Sequence, residues 1–323
     1  MKTVIAVSLA TLYGFSLRIV FGFLNSFMGI MSVSFLVLAP AIIGFLTIFL
    51  IPKDKTQSNM GAFFKPWVTS LVILALTIIF SVEGSICWIL IYPLFASIAG
   101  IGGLLAYHLK KQKTDKADKD NFENKNTLKV SFVMLMPLAI GLVEGDRALT
   151  LKEFNISETV IIQASSQNVW RELTNINEIP DNENKFSFSE MMGFPKHLNT
   201  TLDTIAVGGN RKAVYENGLY FDEKILKIIP EKLLVLDIKT DPNKIPPTVM
   251  DEHIVIGGKH VDILQDIYTI EKLSDTSCRL TLSSRFCINT PFNWYASIWA
   301  KYLMADILQS EINLIRERAT RTS

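Results

Sequence analysis

Apolar residues along this chain fall into two patterns. Up to residue 109 they form long runs, Val4 to Leu24, Met28 to Ile51, Trp67 to Val82 and Ile86 to Leu109, whereas after Glu144 they alternate in short segments between turn residues. A bilayer hydrocarbon core about 30 Å thick takes roughly 20 apolar residues in a helix, because every lipid-exposed backbone group must be bonded within its own segment. The runs therefore predict four transmembrane helices over 1–109, the third of them short and the others ample. A fifth run, Val130 to Val143, has fourteen residues, about 21 Å of helix. It spans if Lys129 and Glu144 snorkel or the bilayer thins, and it lies at the interface if they do not. Spanning is the preferred reading, giving a fifth transmembrane helix over 130–145.

Charge follows the same division. Residues 1 to 108 hold only seven Asp, Glu, Lys or Arg residues, and from Lys110 onward charge is dense. Lys53, Lys55 and Lys65 lie between the second and third runs, seven lysines occupy 110–129, and the short loops near Asn25 and Glu83 carry no lysine or arginine. By the positive-inside rule the N-terminus and the charged loop 110–129 are cytoplasmic. A spanning fifth helix then puts the C-terminal half outside, in the periplasm if the membrane is a bacterial inner membrane. The start of the chain has the charge and apolarity of a signal peptide but no small-x-small cleavage pattern, so it is read as an uncleaved span. Arg18 is the one ionisable residue inside a run, a poor signal for an ion path. Ala96, Ala99, Gly100 and Gly103 place small residues at helix spacing, read as close packing within the bundle in preference to a dimer face.

Several function classes have no support. The net charge of +1 hides no basic stripe with interleaved aromatics, so no nucleic-acid partner is expected. Cys87, Cys278 and Cys287 form neither a CxxC pair nor a zinc-spaced cluster, and GxSxG, HExxH, P-loop and GxGxxG motifs are absent, so no metal or cofactor is implied. The four histidines are too scattered to nominate a base. Oligomeric state is not legible.

Beyond Glu144 the alternation predicts strands at Thr159 to Gln163, Arg211 to Glu216, Leu219 to Ile229, Leu233 to Lys239, His253 to Ile256, Lys259 to Leu273 and Cys278 to Cys287. Asn217-Gly218 is a two-residue hairpin turn, since both central residues need positive φ. A helix is capped by Ala164-Ser165-Ser166, and a long amphipathic helix opens at Pro291 and runs to about Ala319, its apolar stripe placed on Tyr295, Trp299, Leu303 and Ile307 and widened by Ile298, Tyr302, Ile312 and Ile315. The stretch Asp181 to Asn199 is irregular, with Met191, Met192 and Phe194 available as a flap or as an ordinary loop.

The order of strand, Ala-Ser-Ser-Gln-Asn-Val-Trp helix, Phe194-Pro195, Gly208-Gly209-Asn210-Arg211, Asn217-Gly218-x-x-Phe221-x-Glu223-x-Ile225, and a last helix with Trp294 and Trp299 resembles the START-like superfamily, also called SRPBCC or polyketide cyclase/dehydrase-like. The resemblance covers about Phe154 to Arg321. It implies an α+β helix-grip domain over 146–323, a curved antiparallel sheet around the last helix, enclosing a deep and largely apolar cavity. Members bind lipids, sterols, polyketides or other hydrophobic molecules, and a minority catalyse cyclisation or related steps; fold alone does not choose among these.

Polar residues on inward strand faces are the candidate chemistry. Arg211 shares a face with Tyr215, Glu223 with Phe221, and Asp266 with Tyr268; Tyr295 and Trp299 would supply a wall from the last helix. A few convergent polar groups in an apolar cavity orient a small molecule, and a buried carboxylate there is tuned toward acid or base work. Arg211 and Glu223 read equally as a structural ion pair. Two functions follow: a membrane-tethered protein that holds a hydrophobic, lipid-like molecule with the bilayer as its other partner, or a cyclase-like or hydrolytic enzyme in the same cavity.

Overall fold

The computed structural model describes residues 2–321 apart from 25–30, 57, 83–84, 117–123, 184, 186, 246–249 and 251–252. The chain divides into two compact units, Met1–Leu149 and Thr150–Ser323.

The first unit is helical: α1 Lys2–Phe23, α2 Ala39–Leu50 continuing a π-turn at Ser34–Leu38, α3 Asn59–Ile79, α4 Ser85–Lys116 and α5 Asn124–Glu144. Three helices, Lys2–Phe23, Asn59–Ile79 and Ile86–Gln112, are long and apolar enough to cross a membrane, while Ser34–Leu50 and Phe132–Glu144 are shorter apolar segments. Outward side chains such as Val4, Leu12, Val68, Leu105 and Phe132 are apolar and exposed, as a lipid-facing surface requires.

Lengths differ from expectation in an instructive way. The third run gains a full helix because Ser58 caps it, accepting the Gly61 amide at 3.1 Å. The helix then passes through Lys65 and Pro66, which had marked its start in the sequence. Lys65 reaches back to the Thr56 hydroxyl at 3.2 Å, and Ser70 bonds the Pro66 carbonyl. The tract expected to be a loop over 110–129 is entered by α4 as far as Lys116 and left by α5 from Asn124, since the lysine, glutamine and leucine in these stretches are good helix formers. Met28 and the loops at Asn25 and Glu83 lie outside the described residues.

Glycine sets the spacing of α4 against its neighbours. A Cβ on Gly44 would fall 1.8 Å from the Ala99 carbonyl oxygen, and one on Gly102 would fall 1.9 Å from that of Ala41. Backbones of α2 and α4 are therefore in contact, the packing use of small residues. The second apolar helix is held at both ends by charge. Its first amides, Val33 and Ser34, donate to the Glu144 carboxylate at 2.6 and 2.9 Å, and Lys110 donates to the Ile48 and Ile51 carbonyls at 2.7 and 2.6 Å. Near its first end α5 runs alongside, where the Ser34 hydroxyl donates to the Pro137 carbonyl at 2.5 Å, and Tyr13 of α1 donates to the Met134 carbonyl of α5 at 2.6 Å.

The second unit is one antiparallel sheet of seven strands, β1 Leu151–Ile162, β2 His197–Leu202, β3 Asn210–Tyr215, β4 Tyr220–Ile229, β5 Leu233–Lys239, β6 Val261–Ser274 and β7 Ser277–Asn289, in the order β1-β7-β6-β5-β4-β3-β2. Two short helices, α6 Ser166–Thr174 and α7 Phe188–Met191, and the long α8 Asn293–Arg321 complete it. The turn is one residue longer than the two expected, a 3-10 turn over Glu216–Gly218 with Asn217 and Gly218 at φ of 58° and 83°, and the register it sets puts Arg211 opposite Glu223 and Ala213 opposite Phe221. Along β7, Leu280, Leu282, Ser284 and Phe286 are buried and alternate with more exposed neighbours, so the sheet has one dry face. That face packs on Met304, Leu308, Ile312, Ile315 and Ala319 of α8 in a single core. This is the helix-grip arrangement.

Three strand expectations needed correction. β1 begins at Leu151, eight residues before Thr159, because it pairs with β7 along its whole length. β2 lies partly inside the stretch read as irregular, recruited by pairing to β3. His253 to Ile256 forms no strand; only an isolated bridge joins Ile256 to Val261.

Candidate functional site

The concave face of the sheet gathers ionisable groups that strand alternation turns inward. Arg211 on β3 is 1% exposed. Its guanidinium donates to the directly opposed Glu223, to the Leu173 carbonyl at 3.3 Å and to Glu311 of α8 at 3.4 Å. Tyr268 on β6 donates to the same Glu311 oxygen at 2.5 Å. Burial disfavours the Arg211 charge, yet Glu223, Tyr268 and Glu311 hold its pKa well above the ordinary value. Burial raises the pKa of Glu223 against the pull of Arg211. A charge this deep persists only when paired and hydrogen-bonded.

Asp266 sits two residues from Tyr268 on the same face, opposite Leu236 and Ser284. Burial, with Glu223 and Glu311 adding like charge, pushes its carboxyl up to about 7. Its Oδ1 is sealed from solvent and has no hydrogen-bond partner among the described residues. It is therefore poised to hold or release a proton near neutrality.

A cavity of about 290 Å³ opens between the second half of α8, the segment from Glu183 to His197, and Tyr215 of β3. Ile179, Phe194, Tyr215, Ile307 and Leu314 give it apolar walls, and Glu190, Asp306 and Glu311 are also in its lining, which is therefore mixed and acidic. Glu183 and Glu317 also line it but are paired with Arg318, Arg321 and Lys185. Asp306 accepts the Ser189 amide at 2.7 Å. Burial, followed by Glu216 and Asp306 acting against nearby Lys196, raises the pKa of Glu190. His197 stacks on Tyr215 at 4.8 Å, and burial lowers its pKa.

The structure brings Arg211, Glu223, Asp266 and Tyr268 together on one face, with Phe221 against Tyr215 at 5.3 Å. Of the eight residues singled out from sequence, Tyr215 alone lines the cavity described above. Tyr295 and Trp299 do not approach it. On their half of α8 the positions packed on the core are Ala296 and Ala300, small residues that let the helix lie close to β1 and β7, so the aromatics are displaced outward. Sequence reading missed Glu311 and His197. Glu311 shares an α8 face with Leu308 and Ile315, at helical spacings of three and four, a signal that was available; His197 had none before β2 was seen. Of the flap residues, Phe194 lines the cavity, Met192 is buried and Met191 is exposed. No group of three or more His, Cys, Asp or Glu side chains able to hold a metal occurs among the described residues.

No family model matches the chain and no curated protein matches its sequence. Among solved structures, a norcoclaurine synthase point mutant from Thalictrum flavum in complex with a transition-state analogue covers 54% of this chain and 98% of its own, at 12% identity and a TM-score of 0.33. A START superfamily protein from Mycobacterium smegmatis covers 52% and 99%, at 12% identity and a TM-score of 0.34. A protein from Nitrosomonas europaea covers 55% and 98%, at 18% identity and 0.33. By its strand order and the helix lying across the concave face, the C-terminal half of this chain has a helix-grip fold.

Proposed function

We propose that this protein is a membrane-tethered carrier or receptor for a small amphiphilic molecule held in the START-like unit. The observation that carries the reading is the cavity between α8 and the Glu183 to His197 segment, which backs directly onto the buried Arg211, Glu223, Glu311 and Tyr268 network through Glu311. Its volume is at the lower end of the roughly 300 to 1,000 Å³ typical of small-molecule sites. That favours a ring system or a single head group over a two-chain lipid. Carboxylates on Glu190 and Asp306 favour a polar end that is neutral or cationic, because an anionic one would meet like charge in a poorly solvated space. Tethering serves such a ligand: a site fixed at the bilayer surface meets membrane-dissolved molecules at high effective concentration.

On this reading the bundle crosses a bacterial inner membrane five times, with the N-terminus in the cytoplasm and the C-terminal unit in the periplasm. The two clamps on the second apolar helix support it. Lys110, near the end of α4, bonds one end of that helix, and Glu144, the end of α5, bonds the other, so α5 travels from one side of the bundle to the opposite side. A reporter fused after Ser323 that is active only outside the cytoplasm is the expected result; activity only inside rejects the five-span topology.

Mass spectrometry of organic extracts from the full chain, purified in nanodiscs, tests the ligand. One small molecule enriched over bulk lipid and lost in Ser310→Trp, which fills the cavity from an exposed position, supports the reading. Equal contents in both proteins reject it. Asp266 favours a second reading, acid or base catalysis on a hydrophobic substrate, through its raised pKa and unpartnered oxygen. That reading requires turnover that follows an ionisation near pH 7 and disappears in Asp266→Asn.

A further inference from the structure

The first half of α8 presents a face that the domain itself does not use. Trp294, Ile298 and Tyr302 recur every four residues and are 64%, 61% and 55% exposed, a strip about 12 Å long on one side of a helix. Tyr295 and Trp299 flank it, half-buried. From Thr290 to Ala305 the chain has no acidic residue and one cation, Lys301, whereas Asp306 to Arg321 carries three acids and three arginines, Arg316, Arg318 and Arg321. Lys301 and Lys152 both lie over the Phe154 ring, at 5.0 and 5.6 Å, and Leu151 beside Lys152 is exposed. Indole and phenol rings with an apolar body and a polar tip, bordered by lysine, have the composition of a surface that rests in lipid head groups.

The chain itself supplies that surface. Asn293, at the start of α8, donates its side-chain amide to the Thr150 carbonyl and accepts from the Thr290 amide and hydroxyl at 3.0 Å each. The aromatic strip is thus fixed to the first residue of the second unit. Only residues 145–150 separate α5 from β1, a link of at most about 20 Å. A strip anchored to the point where the chain leaves its apolar helices is held within reach of head groups without any partner having to be recruited.

We propose that Trp294, Ile298 and Tyr302, with Leu151, Lys152 and Lys301, form a membrane-contact face that seats the START-like unit on an anionic bilayer. This goes beyond the carrier reading and does not depend on it, because extracted ligand content reports on the cavity and not on this face.

The test uses the full chain with Cys87 and Cys287 replaced by alanine and a spin label attached at Trp294→Cys, Ile298→Cys or, as a solvent-exposed control on β4, Lys224→Cys. The protein without an added cysteine gives the blank. In vesicles of three parts phosphatidylcholine to one part phosphatidylglycerol, labels at 294 and 298 are expected to be relaxed more by oxygen than by a water-soluble nickel chelate, and the label at 224 the reverse. Nickel access at 294 and 298 equal to that at 224 overturns the proposal. So does protection from both relaxants with spin–spin broadening that fades on dilution, the result for a face covered by a second copy, or protection that needs an added soluble protein.

Discussion

In the helical unit α2 and α4 meet backbone to backbone, with no room for a single carbon at Gly44 or Gly102; in the START-like unit the space between α8 and the sheet holds an arginine, several carboxylates and a cavity. Both interiors bury polar groups. The bundle does so mainly with hydroxyls, as Thr47 bonds the Ile43 carbonyl and Thr69 at 2.8 and 3.1 Å, together with the buried Arg18, which donates to the Val82 carbonyl at 3.1 Å. In the second unit the ionised groups are gathered in one interior, each held by another.

The contrast can be broken at either end. The largest effect is expected from Gly102→Leu, because the obstructing atom is the Ala41 carbonyl oxygen at 1.9 Å and backbone cannot step aside; detergent-solubilised protein should lose its monodisperse elution. Next, Arg211→Met alone should destabilise the second unit by about 3 to 5 kcal/mol, since it strands Glu223, while the double change Arg211→Met with Glu223→Leu should recover most of that. Chemical denaturation of the three proteins decides; equal loss in single and double variants would mean the pair itself holds the fold. Third, Asp266 binds its proton more tightly folded than unfolded. Its contribution is therefore complete below the unfolded pKa of about 4 and is lost as pH rises through about 7. Stability should fall by up to about 4 kcal/mol between pH 4 and pH 8 on this account, and Asp266→Asn should flatten the profile. The smallest effect belongs to the wet face: Thr281→Ala removes a 3.0 Å hydroxyl contact with Thr159 and should change stability by less than about 0.5 kcal/mol.

Alternation carried much of the fold. The hairpin at Asn217-Gly218 and the inward set Arg211, Glu223, Asp266 and Tyr268 follow from period-two spacing and one turn, and the structure places each of them on the concave face. What alternation does not encode is long-range pairing. β2 became a strand only because β3 offers it an edge, so His197 could not be placed beforehand. Ile312 and Ile315 pack in the core as the α8 stripe implied, while Ile298 and Tyr302 of its first half are exposed, for a related reason. Large aromatics dominate the helical pattern, yet the sheet is approached through Ala296 and Ala300, and a small residue carries little weight in a hydrophobic stripe. The cavity's acidity was equally hidden, because it assembles Glu190 from α7 with Asp306 and Glu311 from α8.

The clamps on the second apolar helix have an electrical consequence. Aligned peptide dipoles leave the first amides of a helix partly positive and its last carbonyls partly negative; Glu144 meets the former and Lys110 the latter. A segment of about 18 residues from Val33 to Leu50, some 27 Å at the usual rise, is thus terminated at each end by a countercharge borne on a different helix. Reversing both charges would oppose the dipole twice over while leaving the net charge of the bundle unaltered, so orientation and not total charge is what this bracket fixes.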